Sequence, residues 1–348
     1  MNLTMRIAVK GCVLGGLLGG LLAIAGAAAC ASGGGGGVPG TPSVEPPPGA
    51  EAISFLGDTL YPPPIPEETR RVYEQRLAEA REVYERKPDD ADAAVWLGRR
   101  VAYLGRYREA IRIFTQGLAD HPDDARFLRH RGHRYITLRR LDDAIDDLER
   151  AARLEQGLID RVEPDGLPNA RNVPTSTLQT NIWYHLGLAY YLSGNFSAAR
   201  RAYRECLTRS RTDDMQVATA HWLYMTLRRM GRDDEAAAVL APIRRDMDVI
   251  ENQSYHRLLL LYRGELPEDS LLPPAEAGRV PPAIRDPALG YGVGNWHLYN
   301  GRRDEAVRVF RRLVAARGQW PSFGYAAAEA ELKRLGAGAA AAAGGGAP

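Results

Sequence analysis

Apolar and small residues recur with the spacing of amphipathic helices from about residue 66 to residue 335. The clearest unit lies between Pro88 and Pro122, a spacing of 34 residues. Gly105 divides this unit into two helices, because glycine favours the backbone turn that ends a helix. The residues that share its inward faces are Ala94, Leu97, Gly98, Val101, Ala110, Phe114 and Gly117. The unit is therefore predicted to form a pair of antiparallel helices.

The same arrangement returns four more times along the chain. The repeated residues are Leu128, Gly132, Tyr135, Ala144, Leu148 and Ala151; Trp183, Leu186, Gly187, Tyr190, Gly194, Ala199, Tyr203 and Cys206; Ala220, Leu223, Leu227, Gly231, Ala236 and Leu240; and Gly294, Gly301, Ala306, Phe310 and Leu313. This pattern resembles the tetratricopeptide repeat, in which small residues let paired helices approach closely and aromatic residues fill the space between hairpins. The resemblance implies an all-α, tetratricopeptide-type helical-hairpin solenoid over residues 66–335. Segments 97–105, 129–134 and 183–188 also resemble a group of uncharacterised bacterial repeat proteins, a likeness that implies no activity.

Two segments interrupt the repeat and are predicted to be irregular. Residues 155–180 form an insert with turn-forming residues at 163–169, and residues 266–287 are rich in proline. Long insertions in a compact array are either functional covers or disordered. We expect the first insert to cover the groove of the solenoid. Its expected apolar anchors are Leu158, Ile159, Val162 and Leu167.

Single helices are predicted at both ends of the array. Thr69–Lys87 has the pattern of one amphipathic helix, and the alanine-rich segment Ser322–Leu335 is predicted to cap the open end. Residues 336–348 have low complexity and are predicted to form a disordered tail.

The first thirty residues have the features of an export signal. A short segment with Arg6 and Lys10 precedes an apolar run, and small residues lead directly to Cys30. This ending resembles the lipobox of bacterial lipoproteins, in which the cysteine becomes the lipidated N-terminus. The resemblance implies a signal peptide at residues 1–29, followed by the lipidated cysteine and a Gly/Pro-rich linker at residues 30–65.

Two alternatives to lipidation stay open. One is ordinary signal cleavage, and the other is an uncleaved anchor, since the apolar stretch between Lys10 and Cys30 is almost long enough to span a bilayer. Ala31 stands in place of the aspartate that is associated with inner-membrane retention in lipoproteins. The chain is therefore expected to be exported and anchored at the periplasmic face of the outer membrane, if the host has one.

The charge and cysteine content narrow the possible functions. The formal net charge is +2, which argues against a general nucleic-acid binder, because such binding needs many cations to neutralise phosphates. Cys206 is the one cysteine beyond the leader, so a disulfide framework within one mature chain is excluded. It falls at a position for a small apolar residue on a predicted helix and is expected to be a buried, inert thiol.

In solenoids of this family the first helix of each hairpin lines the concave surface. The inward positions of the predicted first helices form a groove rich in arginine, histidine and tyrosine. These positions are Arg99, Tyr103, Arg129, His133, Tyr184, Tyr191, His221, Arg228, Tyr291 and Asn295. Arginine offers forked donors, and tyrosine offers rigid contact area with a polar tip. The groove is therefore suited to an extended peptide, protein or other ligand that is anionic or carries a carboxylate.

Other interpretations of these side chains stay open. They can form a network that is satisfied internally by the inserts or by acidic helices such as Asp142–Asp147, or they can be solvated surface. The carboxylate clamp of this family uses lysine and asparagine, and only Asn295 resembles it, so its ligand does not transfer to this chain. An insert packed onto Arg99, Arg129 and His133 would remove most of the support for an extended ligand.

The sequence offers little for metal binding or catalysis. Six histidines lie on predicted first helices, but a metal needs three or four converging ligands, and carboxylates are scarce there. No metal or cofactor is predicted. No Gly-x-Ser-x-Gly motif occurs, and Cys206 has no neighbouring histidine in the sequence. We therefore expect a lipid-anchored, non-enzymatic scaffold of the cell envelope. The alternative is an envelope enzyme or accessory hydrolase with a His and Arg site beneath the 155–180 insert.

Overall fold

Helices account for nearly all the regular structure of the chain. The computed structural model describes residues 45–272 and 284–337, and within these ranges it has thirteen α-helices and one two-stranded hairpin. The helices are α1 Glu67–Arg86, α2 Ala91–Tyr103, α3 Tyr107–Asp120, α4 Ala125–Thr137, α5 Leu141–Leu154, α6 Leu178–Ser193, α7 Phe196–Arg209, α8 Asp213–Arg229, α9 Asp233–Leu240, α10 Gln253–Tyr262, α11 Pro287–Tyr299, α12 Arg303–Val314 and α13 Phe323–Arg334. The antiparallel strands are β1 Ala52–Ile53 and β2 Thr59–Leu60. The all-α helical-hairpin prediction is confirmed.

Several predictions concern residues outside the described ranges. These are the signal peptide, the lipidated Cys30, the part of the linker before residue 45 and the tail from residue 338 onward. Within the described ranges, no helix combines the length and the apolar character that crossing a membrane requires.

The first helices begin where the sequence supplies a capping side chain. Asp90 accepts hydrogen bonds from the backbone N–H groups of Asp92 and Ala93 at the start of α2, and Asp286 caps α11 in the same way. Thr177 and Thr180 form a reciprocal capping box at the start of α6. These caps satisfy N–H groups that have no partner within a helix, so they fix where each helix begins.

Glycine on one helix faces an aromatic ring on its partner in three of the hairpins. A Cβ atom added at Gly98 would lie 2.3 Å from Cε1 of Phe114. The corresponding distances are 2.6 Å from Gly187 to Tyr203 and 2.4 Å from Gly294 to Phe310. Any side chain at these glycines would push the ring away, so the small residue and the aromatic residue together set the distance between the paired helices.

The turn between paired helices contains one residue in the left-handed conformation. That residue is Gly105, Gly194, Gly231 or Gly301 in four hairpins, with φ between 67° and 86°. In the hairpin of α4 and α5 it is Arg139, with φ of 65°. A side chain costs free energy in this conformation, so a compensating interaction is expected at this position.

The C-terminal helix α13 packs against the first helices of several hairpins, whereas the sequence predicted only a cap at the open end. The ring of Phe323 lies 5.2 Å from that of His133 on α4 and 5.5 Å from that of His185 on α6. Glu329 pairs with Arg139, and Glu331 pairs with Arg229 at the end of α8. Burial alone would raise the pKa of Glu331, but Arg229 and Arg334 together hold it below its ordinary value. The two acids therefore fix α13 on the inner side of the array.

The packed region begins earlier than the predicted boundary at residue 66. Ala50, Ala52 and Leu60 are buried, so the β1–β2 hairpin joins the core although it lies in the predicted linker. The backbone N–H of Phe55 donates to Glu329, which connects this hairpin to α13. Alternating apolar residues in two short strands provide enough buried surface to hold the segment in place.

Residues 273–283 of the predicted irregular segment 266–287 lie outside the described ranges. A separate irregular segment, which the sequence did not predict, follows α9. Residues 241–252 form no helix, although Ile243, Met247 and Val249 are buried. Asp214 on α8 accepts hydrogen bonds from the backbone N–H groups of residues 250, 251 and 252. The buried carboxylate of Asp214 thus accepts hydrogen bonds from backbone N–H groups that, in a helix, would donate to backbone carbonyl groups.

Candidate functional site

The insert after α5 lies on the first helices α2 and α4. Arg99 donates from Nη2 to the carbonyl oxygen of Pro164 at 2.8 Å, and Arg100 donates from Nη1 to that of Gly166 at 2.7 Å. Glu163 is buried beside Arg129, with Oε2 3.0 Å from Nε. The expected cover is therefore present. It contacts two of the three residues, Arg99 and Arg129, that an extended ligand was expected to use.

The apolar residues of the insert do not anchor it, contrary to the prediction. Leu158, Val162 and Leu167 are exposed, and Ile159 is 92% exposed. Polar contacts hold the insert instead, because its carbonyl groups and Glu163 meet arginines of the first helices. At its far end, Asn169 donates to Glu251 at 2.7 Å and Arg171 pairs with Asp248 at 2.6 Å.

A small cleft remains between the insert and the first helices, and we call it the inner cleft. Its opening has a volume of about 260 Å3 and includes Glu163 and backbone of the insert. Behind it lies a chamber of about 90 Å3. Arg99, Tyr103 and Arg129 border both spaces, and His133 borders the chamber. Four of the ten predicted groove residues therefore come together.

Histidines in and beside the inner cleft are buried and neutral near pH 7. Arg129 donates from Nη1 to Nδ1 of His130 at 3.0 Å, which leaves the proton of the neutral imidazole on Nε2, 3.5 Å from Oε1 of Glu163. Burial lowers the pKa of His130, His133 and His185 well below its ordinary value, and Arg129 and Arg134 lower it further. The His and Arg cluster that the enzyme alternative required beneath the insert is thus present, without a charged imidazole.

Five other predicted groove residues lie inside the core. Tyr291 donates to the hydroxyl of Tyr191 at 2.6 Å, and the ring of His221 stacks on that of Tyr255 at a centroid distance of 4.5 Å. Asn295 accepts a hydrogen bond from Arg229. Tyr184, Tyr191, His221, Tyr291 and Asn295 are all buried. They offer no surface to a ligand in this conformation, because successive first helices and α13 pack over them.

Arg228 lies apart from the inner cleft. Its Nε is 2.8 Å from Asp233, its Nη2 donates to Asn300 at 3.1 Å, and its guanidinium stacks on the ring of Tyr299. The ten predicted residues therefore do not line one continuous groove. For Arg99, Tyr103, Arg129 and His133 a binding role stays a prediction.

A second groove, which the sequence did not predict, lies between α5 and α7 with α6 as its floor. We call it the outer groove, and its volume is about 560 Å3. Ile182, Leu186 and the partly exposed Trp183 form its floor. Ala152, Ala198 and Ala202 line its sides, and their small side chains leave the space open. A tryptophan at a helix position flanked by alanines on both neighbouring helices is the sequence feature that could have indicated this surface, but Trp183 was interpreted only as part of the repeat pattern.

Charged groups surround the outer groove. Arg209 donates from Nε to Gln179 at 3.2 Å and lies over the ring of Trp183 at 5.6 Å. The Tyr190 hydroxyl donates a hydrogen bond to Glu149. Burial contributes most to raising the pKa of Tyr190 to about 12, and this carboxylate contributes next. Arg201 is exposed and has no hydrogen bond or ion pair with the described residues. The groove thus combines an apolar floor with a polar rim and one unpaired cation.

Metal and thiol chemistry find little support in the described part of the chain. No group of three or more His, Cys, Asp or Glu side chains there has a geometry suited to a metal ion. Cys206 is buried, its sulfur lies 3.2 Å from the Thr219 hydroxyl, and burial raises its pKa to about 12. A thiol in this environment is a poor nucleophile.

Comparisons with known proteins place the repeats in a family. Models of the tetratricopeptide repeat match residues 97–157 and 180–213. The chain therefore contains tetratricopeptide repeats. No curated protein matches the chain significantly.

Several solved structures are similar to part of this chain. A crystal structure of MamA is 15% identical, covers 57% of this chain and 95% of its own, and has a TM-score of 0.39. YrrB, described as a TPR protein with an unusual peptide-binding site, is 14% identical over 68% of this chain and 91% of its own, with a TM-score of 0.39. TTC0263, a thermophilic TPR protein from Thermus thermophilus, is 22% identical over 54% of this chain and 91% of its own, with the same TM-score.

Proposed function

We propose that this protein is a non-enzymatic interaction scaffold that is tethered to a membrane by a lipid on Cys30 and binds a protein segment in the outer groove. The observation that supports it most directly is the open groove over Trp183, Ile182 and Leu186. Clefts lined mainly by apolar and aromatic side chains are where binding sites concentrate.

The outer groove is preferred to the inner face for an extended partner. On the inner face, an extended ligand would have to displace Glu163 of the insert from Arg129, and α13 from Arg139 and Arg229. Each displacement would leave buried charges without partners, which costs several kcal/mol. The outer groove demands no such rearrangement.

The lining of the outer groove suggests the chemistry of its partner. Trp183 and Leu186 favour apolar or aromatic anchor residues, which contribute most of the binding energy in protein interfaces. Arg201 favours an acidic residue on the same segment, since it has no ion pair among the described residues. An amphipathic helix of two or three turns combines these features, because its anchors recur every three to four residues.

Site-specific photo-crosslinking tests this proposal in cells that express the full chain. A crosslinking amino acid replaces Gln156 at the groove or, as the control, Gln116 on α3, since both glutamines are exposed. We expect a discrete crosslinked partner from position 156 and not from position 116. Trp183→Ala should reduce that crosslink about tenfold or more, the loss expected for a central aromatic anchor.

Two results would count against the outer groove. The first is the same crosslinked partner from Gln116 and Gln156, which indicates nonspecific proximity. The second is a crosslink at Gln156 that Trp183→Ala leaves unchanged while the variant keeps the helical circular dichroism of the wild type.

The tether is tested separately. Cys30→Ser removes the atom that would carry the lipid, so we expect the protein to leave the membrane fraction and to lose labelling by a radioactive fatty acid. Cys206→Ser is the matched control, because this buried cysteine lies in the solenoid. Unchanged membrane association of Cys30→Ser would contradict the lipid anchor. Density-gradient separation of inner and outer membranes tests the proposed outer-membrane location.

A further inference from the structure

We infer that the chamber of the inner cleft binds one compact tetrahedral oxyanion, phosphate or a phosphate monoester, between the guanidinium groups of Arg99, Arg129 and Arg134. This inference goes beyond the proposed function, because it requires neither the outer groove nor a protein partner. The chamber is bordered by these arginines, Tyr103, His130 and His133, and no acidic side chain lines it.

The size of the chamber limits the ligand. Its volume is about 90 Å3. A water molecule takes up ~30 Å3 in the liquid, so the chamber holds a group of a few heavy atoms and excludes a peptide. The insert also narrows the entrance to the chamber. A Cβ atom at Gly166 would lie 1.6 Å from the hydroxyl oxygen of Tyr103, so the backbone of the insert lies directly against that side chain.

The charges around the chamber are not balanced. Three arginines line it, whereas among the described residues Glu163 is the one carboxylate that contacts any of them, through its ion pair with Arg129. The neighbouring histidines are neutral. An uncompensated charge in a buried site costs several kcal/mol, so a bound dianion would stabilise this arrangement.

Arg134 shows the imbalance most clearly. Its guanidinium has no hydrogen bond or ion pair with the described residues and lies over the ring of Tyr107 at 5.4 Å. Burial, with repulsion from Arg129 and Arg99, lowers its pKa to about 10. Arg134 is partly buried, and a desolvated guanidinium needs acceptors for its five N–H groups.

Arg99 and Arg129 each have N–H groups that make no hydrogen bond with the described residues. Arg99 uses Nη2 for the carbonyl oxygen of Pro164, and Arg129 uses Nη1 for His130. The Nε of Arg129 lies 3.0 Å from Glu163 without the geometry of a hydrogen bond. Several N–H groups of both side chains therefore remain for an oxyanion, and forked arginine donors match phosphate oxygens well.

Acidic side chains lie at the opening of the inner cleft, whereas arginines line the chamber behind it. Asp165 and Glu251 border the opening, and burial together with repulsion from Glu251 raises the pKa of Asp165. An entering anion must pass these acids before it reaches the arginines. Higher ionic strength screens that repulsion and should therefore speed phosphate entry.

Thermal unfolding of the full chain with inorganic phosphate tests this site. At pH 7.5 and constant ionic strength, replacing chloride with phosphate should raise the Tm by about 2 °C or more, because a ligand that binds only the folded state stabilises it. Sulfate should raise the Tm by a similar amount, and acetate should raise it less. Arg134→Gln should raise the Tm in chloride, since it removes an unpaired and partly buried charge, and should abolish the response to phosphate.

Controls separate specific binding from general salt effects. Arg308→Gln, at an exposed arginine of α12, should keep the full response to phosphate. Equilibrium dialysis with radioactive phosphate measures binding directly, so the test stands even if Arg134→Gln folds poorly. Glycerol phosphate distinguishes the sources, because tighter binding than inorganic phosphate indicates a phosphate monoester.

Absence of phosphate binding by the wild type in dialysis would overturn the inference. An equal phosphate response in the wild type and Arg134→Gln would overturn it as well. Neither result bears on the crosslink at Gln156, so failure of this site and failure of the proposed scaffold are distinguishable.

Discussion

Arg139→Gly is expected to lower the free energy of unfolding by about 1–4 kcal/mol, although glycine suits the backbone at this position better. Removing one partner of a buried ion pair costs ~3–5 kcal/mol. The side chains of Arg139 and Glu329 are only 3% and 1% exposed. Relief of the left-handed backbone, at φ of 65°, returns ~1–2 kcal/mol. The lost ion pair outweighs the relieved strain, so the net effect is destabilising.

Arg139 has this large effect because it joins distant parts of the chain. Its guanidinium contacts Glu329 on α13 and donates to the carbonyl oxygens of Thr137 and Trp320. Glu329 in turn accepts from the backbone N–H of Phe55 in the N-terminal hairpin. Loss of the arginine therefore leaves a buried carboxylate uncompensated and loosens both ends of the array at once.

Urea unfolding of four proteins measures this effect: the wild type, Arg139→Gly, Glu329→Gln and the double variant. The double variant should lose at least about 2 kcal/mol less than the sum of the single variants, because it contains no unpaired charge. Arg140→Gln is the matched control, since Arg140 forms an exposed pair with Asp143, and should cost less than about 1 kcal/mol. Additive losses in the double variant would contradict the proposed coupling.

Mild acid is expected to lower the free energy of unfolding by a similar or larger amount. Burial lowers the pKa of His130, His133 and His185 well below its ordinary value and that of His221 to about 3. In the unfolded chain each histidine titrates near ~6.5. Below that pH the unfolded state binds protons that the folded state excludes, so stability falls as the pH falls.

The pH dependence of the stability follows from the number of histidines that bind a proton only in the unfolded state. Each such histidine costs about 1.4 kcal/mol per pH unit once the pH is well below the unfolded pKa. Four histidines should together remove ~5 kcal/mol between pH 7.5 and pH 5.5, a large part of the stability of a typical domain. This stability is fully present above the unfolded pKa and is lost below it.

Urea midpoints measured from pH 5.5 to pH 7.5 test this prediction, with His221→Phe as the comparison. His221 is suited to this purpose because burial alone lowers its pKa and its Nε2 has no hydrogen-bond partner. Phenylalanine keeps the stacking on Tyr255 and should reduce the loss of stability between pH 7.5 and pH 5.5 by about 1.4 kcal/mol. Identical slopes in the two proteins, or a stability independent of pH in this range, would exclude the proposed role of the histidines.

The sequence predicted the hairpins well because their determinants are local. Gly98 and Phe114 lie in one repeat, and so do Gly187 and Tyr203, so a pattern read over a few turns identifies both partners. The turn glycines, such as Gly105 and Gly194, gave a further local signal. Arg139 occupies the same turn position in the hairpin of α4 and α5, but no local pattern singled it out, because its partner Glu329 lies 190 residues away.

The candidate sites were predicted less completely because they depend on how the array closes on itself. Arg99, Tyr103, Arg129 and His133 do meet, but the insert covers them through carbonyl groups, which no side-chain pattern reveals. The apolar Ile159 was expected to be an anchor and is exposed, since the arginines beneath the insert attract polar groups.

The sequence by itself determined the repeat, the helix pairing and the positions of its interruptions, because each is encoded by residues within about 35 positions of one another. Only the tertiary structure decided which surfaces stay open. The position of α13 depends on contacts of Glu329 and Glu331 with Arg139 and Arg229, which lie 190 and 102 residues away in the chain. A local pattern does not reveal contacts between residues so far apart in the chain. These contacts hold α13 against the first helices that were predicted to line the groove, whereas the outer groove over Trp183 stays open.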